Sequence, residues 1–139
     1  MKQKSRRTFL VGDTKAAGAK KRSPYPPRDP LLDKPMFSRT VAFGDLLFLS
    51  GVGNHKLRSV EIATRNVIEE IEKSLVDAGS SLQKCIKVGV FLRDLKDYDS
   101  MNRAYQIYDW GDVPPVRTTV ASAGIPGTSL IEIDVIAYI

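Results

Sequence analysis

A chain of 139 residues with 42% hydrophobic and 27% charged side chains fits one domain with a buried core and a polar surface. Its single cysteine, Cys85, excludes an intramolecular disulfide and any multi-cysteine zinc site. Its single histidine, His55, excludes a histidine-cluster metal site, and only carboxylate sites for hard ions stay open.

Charge divides the chain. Residues 1–34 hold ten Lys and Arg against three Asp, whereas residues 35–139 hold eleven against thirteen acidic residues. The basic balance therefore belongs to an N-terminal tail. The mildly acidic remainder weighs against a nucleic-acid partner for the domain itself. The tail is rich in Lys, Arg and Pro and carries no apolar period, so little regular structure is expected before Pro35. Ser5-Arg6-Arg7-Thr8-Phe9-Leu10 resembles a twin-arginine export signal, but Asp13 and Lys15 interrupt the apolar segment such a signal needs. A basic tail on a cytoplasmic protein is the expectation, with export the alternative. No apolar run of about eighteen residues occurs, so no membrane span is expected.

Ser38–Ala42 and Leu46–Ser50 read as two strands around a tight turn at Gly44-Asp45, with Gly51 and Gly53 breaking the pattern. A helix should start after Ser59 as N-cap, with Thr64, Val67, Ile68, Ile71, Leu75 and Ala78 on one apolar stripe and Gly79 as its stop. Cys85–Leu92 reads as a buried strand. A second helix should run from about Asp97, with Tyr98, Met101, Tyr105 and Tyr108 on one face, until Gly111, Pro114 and Pro115 end it. Val116–Ala123 and Leu130–Ile139 read as strands joined by a turn at Gly124–Gly127. In the last one Ile131, Ile133, Val135, Ala137 and Ile139 share a face, with Glu132 and Asp134 on the other.

The expected fold is α+β, in the order β-β-α-β-α-β-β, with two helices on one face of a mixed sheet. The other face would mix Glu132, Asp134 and Ile136 with Arg117 and Thr119, if the turn keeps register. A half-apolar sheet face left uncovered points to another subunit.

Three stretches are similar to a known family. They are Phe43-Gly44-Asp45-Leu46-Leu47-Phe48-Leu49-Ser50-Gly51, then Ala78-Gly79-Ser80-Ser81 with Val88-Gly89-Val90-Phe91-Leu92-Arg93-Asp94-Leu95, and finally Pro115-Val116-Arg117-Thr118-Thr119-Val120 with Leu130-Ile131-Glu132-Ile133. Residues 35–139 thereby resemble the RidA (YjgF/YER057c/UK114) family in unbroken order. The resemblance implies a chorismate-mutase-like fold, a homotrimer with sites in the clefts between subunits, and hydrolysis of reactive enamines and imines without a metal or organic cofactor. It implies that Arg117 binds the substrate carboxylate and that Glu132 handles the water and the departing ammonia. Gly51 and Asn102 fall on further family positions. Thr119 stands where some members carry a cysteine, and Phe37 where many carry a tyrosine. The loop after Gly51 is shorter than usual.

Those residue types suit 2-imino acids such as 2-iminopropanoate and 2-iminobutanoate. Arginine's planar fork can grip the carboxylate through two charge-assisted hydrogen bonds, which fixes the adjacent C=N carbon. A carboxyl group nearby can take a proton from the attacking water and return it to nitrogen. Taken alone, Arg117 and Glu132 also read as a surface arginine and an ion-pair partner. The tyrosine stripe and Cys85 read as core, and His55 as a surface loop residue. A carboxylate-binding module without turnover, and an RNA-binding or endoribonuclease member, remain as alternatives. The absence of a histidine pair weighs against the last.

Overall fold

The computed structural model describes residues 20–23, 36–56 and 59–139. The proposed export motif at Arg6 and Arg7, and most of the tail, lie outside these residues. The elements are β1 (Thr40–Phe43), β2 (Leu46–Gly53), α1 (Val60–Asp77), β3 (Cys85–Leu92), α2 (Tyr98–Tyr105), β4 (Val116–Ala121) and β5 (Ile131–Tyr138), with short 3-10 turns at Leu82–Lys84 and Leu95–Asp97.

The β1–β2 hairpin turns where expected, at Gly44, whose φ of +57° lies in the left-handed region that favours glycine. β2 is longer than its sequence suggests. Its pairing with β5 shifts register between Leu49 and Val52, so the strand passes through Gly51 to Gly53 instead of breaking. Such a bulge absorbs the extra residue and re-aims the side chains beyond it.

Ser59 caps α1, its side chain accepting from the Ile62 amide. The helix buries Val60, Ala63, Thr64, Val67, Ile68, Ile71 and Leu75. Thr64 is tolerated there because its hydroxyl donates to the Val60 carbonyl at 2.6 Å. Gly79 takes φ +90°, and the Ser80 amide reaches back to the Leu75 carbonyl, closing the helix with a Schellman motif.

The sheet order is β1-β2-β5-β3-β4, antiparallel except for the parallel β3–β4 pair, whose connection crosses over through α2. Leu47, Val88, Val90, Leu92, Ile131, Ile133, Val135 and Ala137 join the α1 stripe in one core. This is the expected α+β architecture with both helices on one face. Among the described residues no helix is long and apolar enough to cross a membrane.

Two expectations need correction. First, α2 stops at Tyr105, well before Gly111. The Trp110 indole N–H donates to the Tyr105 carbonyl at 3.1 Å, taking an acceptor that a continuing helix would use. Tyr98 faces solvent, while Met101 and Ala104 are the buried residues of α2. Second, β4 ends at Ala121, two residues early. Little regular structure is described before Pro35, but one residue there pairs with the domain. Arg22 forms an antiparallel bridge with Ala42 on the free edge of β1, through backbone hydrogen bonds of 2.9 and 2.8 Å. Its guanidinium also reaches the Gly44 carbonyl. Deleting residues 1–34 is therefore expected to cost about 1–3 kcal/mol, the net worth of two hydrogen bonds. A thermal melt reads this as a lower midpoint, and an unchanged midpoint would show that the bridge adds nothing.

Candidate active site

Strand register decides which face each candidate residue occupies. On β4, Arg117 pairs with Val88 and Thr119 with Val90. Val88 and Val90 are core residues beneath the helices, so Arg117 and Thr119 project to the helix side. On β5, Glu132 pairs with Phe91 and Asp134 with Gly89, which places both acids on the uncovered side. β3 also stands between β4 and β5. The expectation that Arg117 and Glu132 share one face on adjacent strands is therefore overturned. The turn after β4 carries the chain across β3, so β5 inserts between β2 and β3.

The candidate residues form two separate groups. In the first, Arg117 donates through Nη2 to Asn102 Oδ1 at 2.8 Å, and its guanidinium carbon lies 4.7 Å above the Tyr105 ring centre. Asn102 and Tyr105 are one helical turn apart on α2 and meet the same side chain. Burial pushes the Tyr105 phenol up to about 12, against the lowering pull of Arg117, so the ring stays neutral near pH 7. Beside them the Thr119 hydroxyl oxygen is buried with no hydrogen-bond partner among the described residues. Among the described residues no carboxylate pairs with Arg117.

Glu132 and Gly51 make the second group. A Cβ on Gly51 would lie 2.6 Å from the Glu132 carboxyl carbon, so the acid occupies space that only glycine leaves open. No hydrogen bond or ion pair holds Glu132 among the described residues. Gly51 also lines a concavity of about 390 Å³ with Phe37, Arg39, Ser50, His55 and Glu70. Phe37 is an exposed aromatic wall. His55 sits against Gly127 of the turn before β5.

The uncovered sheet face, which carries Glu132, also exposes apolar side chains around a shallow hollow. Phe43, Leu46, Phe48, Val116, Val120 and Tyr138 are all more than a third exposed on it. A concavity of about 350 Å³ is lined there by Phe48, Lys87, Phe91, Val120, Asp134 and Ile136.

Helical periodicity assigns Tyr105 to the core and misses its contact with Arg117. The available signal is its position three residues after Asn102, which puts any partner of Asn102 within its reach. Cys85 is buried, its thiol pushed up to about 12 by that burial.

The sequence model of the family described as Endoribonuclease L-PSP matches residues 32–139. The chain belongs to the RidA (YjgF/YER057c/UK114) family. Protein mmf2, mitochondrial, of Schizosaccharomyces pombe is 39% identical over 109 residues, covering 73% of this chain and 86% of that protein. A protein of Dermatophagoides farinae named 2-iminobutanoate/2-iminopropanoate deaminase is 28% identical over 119 residues, covering 79% of this chain and 92% of that one. Among solved structures, the Rid-family protein YyfA of Yersinia pestis superposes with a TM-score of 0.75 at 26% identity, covering 86% of this chain and all of that one. The RidA-type fold is therefore shared over the whole domain.

Proposed function

We propose that this RidA-family protein hydrolyses reactive 2-imino acids, such as 2-iminopropanoate and 2-iminobutanoate, to 2-oxo acids and ammonia. One observation carries the reading. The Arg117 guanidinium is fixed by a neutral amide and a neutral ring, with no carboxylate among the described residues to satisfy its charge. A pre-aimed cation of this kind suits a small carboxylate bound through the guanidinium fork. The unpartnered Thr119 hydroxyl beside it can add a hydrogen bond to the same ligand. The deaminase name of the Dermatophagoides farinae relative agrees with an imine next to that carboxylate.

Water adds to the C=N carbon of the imine, its nitrogen already protonated, and Glu132 takes the proton the water loses. Glu132 then returns that proton to the nitrogen of the tetrahedral carbinolamine, the C–N bond breaks, and the hydroxyl proton passes to the departing ammonia as the carbonyl forms. Glu132 serves as base in the first half and as acid in the second. Because Glu132 and Arg117 project from opposite faces of one chain, the complete site joins the Arg117 group of one copy to the Glu132 group of another. The apolar face carrying Phe48, Val120 and Ile136 suits that contact, and a homotrimer closes it on itself.

The opposed faces also favour a second reading, carboxylate binding without turnover by a chain that does not assemble. Ammonia release from enzymatically generated 2-iminopropanoate and 2-iminobutanoate, paired with sedimentation equilibrium, separates the two. Accelerated release by an oligomer supports hydrolysis. A stable monomer that binds 2-oxo acids without accelerating release supports binding alone.

Gly51→Ala gives a further expected result. The added methyl needs the space of the Glu132 carboxyl, so the acid must move. Displacing a catalytic group by about 1 Å can cost on the order of 100-fold. Turnover should fall by about 10- to 100-fold while 2-oxo acid binding at Arg117 is little changed. Turnover equal to that of the unsubstituted protein would show that the Glu132 position does not matter.

A further inference from the structure

Behind Arg117 lies a layered stack. Tyr105 and Trp110 stack with ring centres 4.5 Å apart and planes 14° from parallel, and the guanidinium of Arg117 lies on Tyr105. Trp110 is 6% exposed and tied by its indole N–H to the Tyr105 carbonyl. The loop carrying it is anchored on both sides. Asp109 accepts from the Gly111 amide at 2.9 Å and from the Gln83 side chain at 3.1 Å, contacts that hold its carboxyl below the usual range. Gly111 has φ +88°, and a Cβ there would press on the Gln83 carbonyl at 3.1 Å. The indole therefore rests on an anchored turn, and the phenol rests on the indole.

We infer that Tyr105 and Trp110 are positioning residues that hold the Arg117 guanidinium in the plane needed to receive a carboxylate, and that Trp110 senses occupancy of that site. The inference rests on the reading of Arg117 as the carboxylate site. An arginine on an edge strand has several rotamers of similar energy, and fixing one before binding removes that cost from the binding step. A ring face is well suited to this because it attracts the cation without neutralising it. An acidic partner would hold the guanidinium equally well but would compete with the substrate for its charge. Asn102 fixes one nitrogen, Tyr105 fixes the plane, and the remaining donors stay open to ligand.

The stack also links the site to a reporter. Trp110 is the only tryptophan in the sequence, so its emission comes from one place. A carboxylate arriving on Arg117 changes the field across Tyr105 and hence around the indole.

The test uses the full chain. Tyr105→Leu removes the ring face, and Tyr105→Phe keeps it. The loss of a partly desolvated cation–π contact corresponds to about 5- to 30-fold in affinity. Tyr105→Leu should raise KM for imine hydrolysis, and Kd for 2-oxobutanoate by calorimetry, by about that factor, with kcat changed less. Tyr105→Phe should restore both. In the unsubstituted protein, saturation with propanoate, a carboxylate that does not absorb, should alter Trp110 emission, and Arg117→Ala should abolish the change. This last measurement holds even if Tyr105→Leu fails to fold. Unchanged KM and Kd in a folded Tyr105→Leu, a Phe variant as impaired as the Leu variant, or unaltered emission at saturation would each overturn the inference. If Arg117→Ala itself binds 2-oxobutanoate normally, the carboxylate-site reading fails instead, and the two failures are told apart.

Discussion

Glu132→Gln is expected to lower imine hydrolysis by about 10²- to 10⁴-fold, the range of a positioned general acid–base group. The substitution preserves shape beside Gly51 and removes the ability to accept a proton. No hydrogen bond or ion pair among the described residues depends on Glu132, and the residue lies on the uncovered face, so the fold should tolerate the change. Binding of an inert 2-oxo acid should stay within a few-fold of the original. A loss of binding as large as the loss of turnover would make Glu132 a binding group. Near-normal turnover would mean that the pocket merely orients a self-hydrolysing imine.

Arg117→Ala has the opposite profile. It should weaken 2-oxo acid binding by about 10- to 150-fold, the worth of a lost charge-assisted contact of about 1.5–3 kcal/mol. Turnover falls with it, because the imine carbon is no longer held. Arg117→Lys should recover little. An ammonium offers no planar fork for the carboxylate and cannot lie flat on Tyr105 while donating to Asn102. Calorimetry with 2-oxobutanoate on both variants checks this. Full recovery by lysine would show that charge alone, without geometry, makes the site.

Much of this fold is legible in the sequence because its signals are local. The α1 stripe from Val67 to Leu75 repeats at helical spacing, and Ile131, Ile133, Val135 and Ala137 alternate at strand spacing, so both elements show which face they bury. Cys85–Leu92 is bounded as a strand in the structure just as its β-formers suggest. Pairing order is not local. Nothing in the spacing from Arg117 to Glu132 tells whether the chain turns back beside β4 or crosses β3 first. The sheet takes the second course, and the two residues part to opposite faces. β4 offers little correction, since Val116, Thr118 and Val120 are no less apolar than the residues between them. The early end of α2 depends on a tertiary hydrogen bond from Trp110 that helical periodicity does not register. The family resemblance points to Arg117, Asn102, Gly51 and Glu132. The structure adds that they divide into two groups, and that Tyr105 belongs with the first.

That division is best tested by mixing two inactive chains. Arg117→Ala and Glu132→Gln are co-expressed, or refolded together, at equal amounts, and imine hydrolysis is compared with each parent alone. If one copy supplies the Arg117 group and its neighbour the Glu132 group, random assembly restores both residues in about one site in four, and activity rises to about a quarter of the unsubstituted level. If the mixture shows only the average of the two residual activities, the residues do not meet across an interface, and the shared-site account is wrong.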